Sequence, residues 1–136
     1  MPAGDLVALK PGAEGESPAV LWKSNRLKIG GYATPLYYRD HVYTLNSAGV
    51  LICGDANTGK MVWDLRLKGP FSASPVAADG RLYIVNEKGL TQVVKLGDKP
   101  EIEASNDLAD DMLATPAIAA DCIFLRSDGW LYCIGK

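Results

Sequence analysis

An all-β chain built from repeated four-stranded units is what this sequence predicts, on three observations. First, Gly49, Gly89 and Gly129 recur every 40 residues in the aligned segments NSAGVLICGD, NEKGLTQVVK and RSDGWLYCIG. Second, the Thr-Pro or Ser-Pro steps ATPLYYRD, ASPVAADG and ATPAIAAD place Pro35, Pro75 and Pro116 at spacings of 40 and 41. Third, no stretch keeps apolar residues at helical spacing for long, and short apolar runs bounded by turn residues take its place. Four short strands in a repeat of about 40 residues are the signature of one β-propeller blade.

Within each repeat the elements follow in order. The first strand begins after the proline, which cannot donate to a strand ladder and so suits a strand start. The turn after it holds Asp40, Asp79-Gly80 or Asp121, and Asp-Gly between apolar runs is a hairpin signal. The second strand is HVYTLN, RLYIVN or CIFLRS, with Tyr43, Tyr83 and Ile123 in one column and Leu45, Val85 and Leu125 in another. The turn that follows ends in Gly49, Gly89 or Gly129, a residue that takes positive φ at no steric cost. The third strand is VLICGD, LTQVVK or WLYCIG, and the fourth is clearest in KMVWDLRL. Between these two strands in the first full repeat lies DANTGKMVW, residues 55–63. Asp55 and Thr58 are placed to bond the turn backbone, Gly59 to absorb an awkward dihedral, Lys60 to stay in water, and Trp63 to cover the gap toward a neighbouring blade.

The segment CGDANTGKMVW resembles the repeat of the pyrroloquinoline-quinone-like propellers, in which an alanine, then Asp, Thr-Gly-Lys and Trp stand at fixed offsets, an arrangement often called a tryptophan-docking motif. Cys53 occupies the alanine position, while Asp55, Thr58, Gly59, Lys60 and Trp63 match. Trp22, in PAVLWKS, resembles the equivalent of Trp63 in the preceding blade, and in EIEASNDL the tryptophan is lost, with Ala104 or Ser105 near its place. The resemblance spans residues 5–134 and extends to the branch of outer-membrane assembly lipoproteins. It implies a protein-binding role without a cofactor and a periplasmic or cell-surface setting. The quinone-dependent dehydrogenases of the superfamily use adjacent cysteines, a tryptophan platform and calcium-binding acids; no residue here matches those positions.

The expected organisation is one propeller segment: a partial blade over 4–33, full blades over 33–73 and 74–114, and a partial blade over 115–136. The amino end supplies a third and a fourth strand, about 5–10 and 19–23, and the carboxyl end a first, second and third, about 116–120, 122–126 and 130–134. Closed propellers have typically 4 to 8 blades. About three blades expose two apolar flanks and unpaired strand edges, so self-association is expected. Two chains joined head to tail as a homodimer would close a ring of about six blades, the amino-terminal fourth strand of one completing the last blade of the other. Both ends supply a third strand, so one copy must be displaced or lie outside the blade.

The totals exclude several classes. A net charge of -2 and a pI near 5.3 offer nothing to a polyanion, so no nucleic-acid partner is expected. No apolar run approaches the roughly 18 residues of a spanning helix. The start, MPAGDLVALKPG, shows no basic end followed by an apolar stretch, so no signal peptide is visible in it. Cys53, Cys122 and Cys133 lie in apolar runs and read as buried free thiols, the latter two on adjacent strands. His41 reads as a solvated turn residue. Asp107, Asp110 and Asp111, with Glu101 and Glu103, lack the ligand alternation and glycine of a calcium loop. GDANTGK lacks the glycine spacing and helix of a phosphate loop. Trp130 reads as packing between blades or as a contact residue near the rim, and Tyr32, Tyr37 and Tyr38 read as core or interblade packing. No catalytic, metal or cofactor-binding residue is expected. The favoured expectation is a non-catalytic propeller module for protein interaction or scaffolding; the alternative is a fragment of a quinone-dependent dehydrogenase without its cofactor site.

Overall fold

The computed structural model describes residues 4–136, and among these every regular element is a strand. A two-stranded antiparallel sheet pairs β1 (Gly4–Lys10) with β2 (Ala19–Ile29). Two four-stranded sheets follow: β3 (Leu36–Tyr38), β4 (His41–Leu45), β5 (Val50–Asp55) and β6 (Met61–Arg66), then β7 (Val76–Ala78), β8 (Arg81–Val85), β9 (Leu90–Lys95) and β10 (Glu101–Asp107). The last sheet holds β11 (Ala117–Ala119), β12 (Cys122–Arg126) and β13 (Leu131–Gly135). Strand order equals chain order in every sheet, so each is an up-and-down meander. β2 runs 11 residues, well past the expected 19–23, because Leu27 continues the buried face into the next sheet.

Local chemistry explains the hairpins. Arg39-Asp40, Asp79-Gly80 and Ala120-Asp121 all have positive φ at both positions. Two left-handed residues in a row make a two-residue turn of the twist that antiparallel strands require. Asp and Gly tolerate this conformation best, which is why Asp40, Asp79-Gly80 and Asp121 were legible.

Neighbouring sheets face one another through alternating positions. Tyr43, Leu45, Leu51 and Cys53 of the second sheet bury against Leu82, Ile84 and Val94 of the third. On the opposite face of the third sheet, Val85 packs with Leu125 and Met112. A repeated hydroxyl also crosses each of these junctions: Ser74 Oγ accepts from Thr34 N at 2.8 Å, and Thr115 Oγ1 accepts from Ser74 N at 3.0 Å. One such bond contributes about 1 kcal/mol. Each fully buried leucine contributes about 1.5–3 kcal/mol, so apolar packing sets the cohesion and the hydroxyls set the alignment.

The third repeat departs from the frame. Tyr43 and Tyr83 pair with Leu36 and Val76, and the residue doing so with Ala117 is Phe124, not Ile123. The next turn is one residue shorter, since Leu45 pairs with Leu51 and Val85 with Thr91, but Arg126 with Leu131. An insertion and a deletion cancel, which hid the slip. The shorter turn also separates the three glycines. Gly49 and Gly89 adopt φ of +82° and +87°, whereas Gly129 lies outside the left-handed region with open space where a Cβ would stand. The carbonyls of Gly49 and Gly89 accept from Leu67 and Leu108, just beyond the fourth strands; among the described residues the last sheet has three strands and no fourth to impose that geometry.

The same open edge leaves Trp130 on the rim side of its two expected places and exposes a cysteine expected to be buried. Trp130 is 71% exposed and Cys133 is exposed, with Cys122 half-buried beside it; only Cys53 is a buried thiol. Tyr32 and Tyr37 are exposed as well, Tyr37 because its hydroxyl reaches out to the Asp40 carboxylate at 3.0 Å. Tyr38 is half-buried and accepts from Gly80 N of the next sheet at 2.9 Å.

Candidate interaction surface

The first sheet meets the second through Trp22. Its indole Nε1 donates to the Ala56 carbonyl at 2.8 Å, and a Cβ on Gly59 would stand 2.5 Å from the ring. Gly59 has φ of +69°, so the absent side chain and the left-handed backbone serve one purpose, a flat seat for the indole. The seat is built by Asp55. Its Oδ1 accepts from Asn57 N at 2.8 Å and Thr58 N at 2.9 Å, and Gly59 N donates to its carbonyl at 2.8 Å. Thr58 Oγ1 accepts from Lys60 N at 3.3 Å, and the Lys60 side chain is exposed. Leu27 extends the junction, lying against Gly54, where any side chain would collide with it.

The two backbone bonds from Asn57 and Thr58 hold the Asp55 carboxyl below its ordinary range. A depressed folded pKa gives stability that is complete above the unfolded value of about 3.9 and lost as pH falls through the lower folded value. Asp55→Asn is therefore expected to lower the urea midpoint at pH 7 and to flatten its decline below pH 4. An unchanged acid limb would show that Asp55 does not hold the turn.

Trp63 meets a different neighbour. It lies 5.9 Å from Tyr43, ring centre to ring centre, over the Cys53 position with which it pairs. Burial pushes the Cys53 thiol up to about 11, so it is an inert packing group. The facing turn is Leu96-Gly97-Asp98, without the Asp55–Gly59 arrangement, and a cleft of about 460 Å³ remains between Trp63, Val62, Arg39 and that turn. His41 opens β4 at its edge, half-buried; its Nδ1 lies 2.8 Å from the Arg39 carbonyl oxygen, which can only accept, so Nδ1 carries the proton. Among the described residues no group of three or more His, Cys, Asp or Glu is arranged to hold a metal ion. The acidic residues of the expected solvated loop are used locally: Lys88 pairs with Asp111 at 3.1 Å, Tyr132 donates to Asp110 at 2.8 Å, and Arg81 grips Glu103 at 2.6 and 3.2 Å.

Both end sheets carry exposed apolar residues. On the first sheet Leu9, Val20 and Leu21 are each more than half exposed. On the last, Leu131 is 70% exposed at the free edge of β13. Sequence reasoning marked these ends as incomplete. It did not single out the hydroxyl column Thr34, Ser74 and Thr115, although the recurring Thr-Pro and Ser-Pro steps carried that signal.

These meanders, packed face to face, have clear relatives. The structure of BamB from Moraxella catarrhalis matches with a TM-score of 0.74 at 21% identity, over 97% of this chain and 40% of that one. A europium-containing methanol dehydrogenase matches with a TM-score of 0.51 at 14% identity, over 77% of this chain and 19% of that one. At such identities both show the fold: this is an all-β propeller segment, spanning well under half of either relative. No curated protein shows significant sequence similarity to it. A family profile described as outer membrane protein assembly factor BamB matches residues 3–100, and the chain belongs to that family.

Proposed function

We propose that this chain is a non-catalytic propeller module for protein interaction, working in the periplasm at the outer membrane. The observation that carries the reading is the uncovered third strand of the last sheet, with Leu131 and Trp130 about 70% exposed on a rigid meander. A strand edge beside apolar side chains is a surface for pairing with another chain. Membership of an assembly-factor family supports the same reading. Trp22, Asp55, Thr58 and Gly59 act in it as the joint that keeps neighbouring blades in line. Lys60 stays in solvent, Trp63 packs over Tyr43 of its own sheet beside an open cleft, and Gly49 and Gly89, unlike Gly129, shape the turns behind it.

The first occupant we propose for the edge is a second copy of this chain. β2 of one copy would pair with β13 of the other, displacing β1, and the exposed Val20 and Leu21 would meet the face of Leu131 and Cys133. The contact joins unlike surfaces, so two of them close a twofold ring. Light scattering is expected to return twice the mass of 14.6 kDa, and Leu131→Lys to return the monomer. A wild-type monomer across the micromolar range would sink the homodimer. The dehydrogenase-fragment reading draws only on fold likeness at 14% identity; a saturable thermal shift on adding pyrroloquinoline quinone with calcium would revive it.

A further inference from the structure

The chain contains two Asp-Gly steps, Asp79-Gly80 and Asp128-Gly129, and the fold treats them differently. An aspartate followed by glycine is open to attack by the glycine nitrogen on its own side-chain carbonyl, because no side chain on the glycine crowds the approach. Both aspartates are exposed in turns between strands, β7 to β8 and β12 to β13. Gly80 is tied down on both sides: its nitrogen donates to the Tyr38 hydroxyl at 2.9 Å, and its carbonyl accepts from Leu96 N at 3.0 Å. Asp79 and Gly80 are also fixed at φ of +48° and +73°, and the Asp79 carboxylate lies 3.8 Å from the Arg81 guanidinium. In the turn Ser127–Trp130 three nitrogens are engaged: Ser127 N donates to Trp130 O at 2.9 Å, Asp128 N to Asp111 O at 3.2 Å, and Trp130 N to Ser127 Oγ at 2.9 Å. The Gly129 nitrogen has no acceptor among the described residues, Gly129 is exposed, and nothing stands within 4 Å of the place a Cβ would take.

We propose that Asp128-Gly129 is a site of spontaneous covalent modification, the isomerisation of Asp128 to isoaspartate through a cyclic imide. The Gly129 nitrogen attacks the side-chain carboxyl carbon of Asp128. A C–N bond forms, and the carboxyl oxygen leaves as water with the nitrogen's proton. Water then opens the ring. Opening at the main-chain carbonyl leaves the peptide running through the side chain of residue 128, with no net change in mass and no co-reactant but water. Asp79 is spared because Gly80 N must first leave the Tyr38 hydroxyl and the turn must abandon its left-handed geometry, a local opening that costs free energy. The product adds one methylene to the main chain just before Trp130 and Leu131 and leaves a free α-carboxylate in the turn. That group makes the aged chain a substrate for a carboxyl methyltransferase acting on isoaspartate.

The test ages the full chain at neutral pH and body temperature in oxygen-18 water, then digests it with trypsin, which releases residues 69–81 and 127–136 as separate peptides. Isoaspartate and the heavy oxygen are expected in 127–136, at a level at least about tenfold above 69–81. Ageing in urea removes the protection, and the two peptides should then convert alike. Tyr38→Phe frees the Gly80 nitrogen and is expected to raise conversion at Asp79 several-fold while leaving Asp128 unchanged. Gly129→Ala crowds the attacking nitrogen and is expected to slow conversion at Asp128. No isoaspartate at Asp128 in the folded chain, or equal conversion of both steps there, would overturn the site, as would a folded Tyr38→Phe variant that still spares Asp79. If Tyr38→Phe does not fold, the ratio of the two peptides with and without urea decides, and an unchanged ratio overturns the proposal.

Discussion

Gly89→Ala is expected to destabilise the chain by about 3 kcal/mol, whereas Gly129→Ala, in the same column of the repeat, changes stability by less than about 0.5 kcal/mol. Gly89 sits at φ +87°, where an L side chain costs roughly 1–2 kcal/mol. Its Cβ would also collide with the Asp110 carbonyl, and the Asp110 nitrogen is only 2.9 Å away. Those are backbone atoms tied into the packed loop by Met112 N donating to Glu87 O, so they yield poorly. Gly129 has neither constraint: its φ is ordinary and nothing lies within 4 Å of the new methyl group. Urea denaturation of the two variants reads the difference. Equal losses would mean that the third repeat adopts the geometry of the second in solution, and that the shorter turn at Ser127–Trp130 is wrong.

The second large effect lies at the first junction. Trp22→Ala is expected to cost about 2–3 kcal/mol, somewhat below the 3–5 kcal/mol of a fully buried tryptophan because the ring is only half-buried. It removes the ring seated on Gly59 and the bond to the Ala56 carbonyl, and leaves that carbonyl to water. Trp130→Ala, with its ring 71% exposed, is expected to stay within about 0.5 kcal/mol. Gly59→Ala should mimic much of the Trp22 loss, and the double variant should lose less than the sum, since one contact is removed twice. Strict additivity would show that ring and glycine do not touch. Tryptophan fluorescence gives a second readout: the Trp22→Ala spectrum should lose its shielded component and keep the exposed one.

The strands, their antiparallel order and the first turns were readable because each rests on local chemistry. Asp-Gly or its equivalent takes two left-handed residues, proline starts a strand, and alternation follows from the pleat. DANTGK was readable for the same reason: Asp55 bonds to residues two and three along the chain. What failed was inference from one repeat to the next. Gly129 shares a column with Gly89, and Trp130, Cys122 and Cys133 sit in runs as apolar as those of buried neighbours, yet their surroundings differ because no fourth strand covers β13.

The period, the all-β character, the hairpin turns and the polar turn at Asp55 are consequences of residues a few positions apart, and so were legible in the chain alone. The packing of whole sheets sets the rest: Trp22 rests on Gly59 across 37 residues, and Leu131, Cys133 and Ile134 of β13 face solvent. Those outcomes depend on which sheet stands opposite, and a side chain carries no local mark of whether its neighbour is a leucine, a hydroxyl or water.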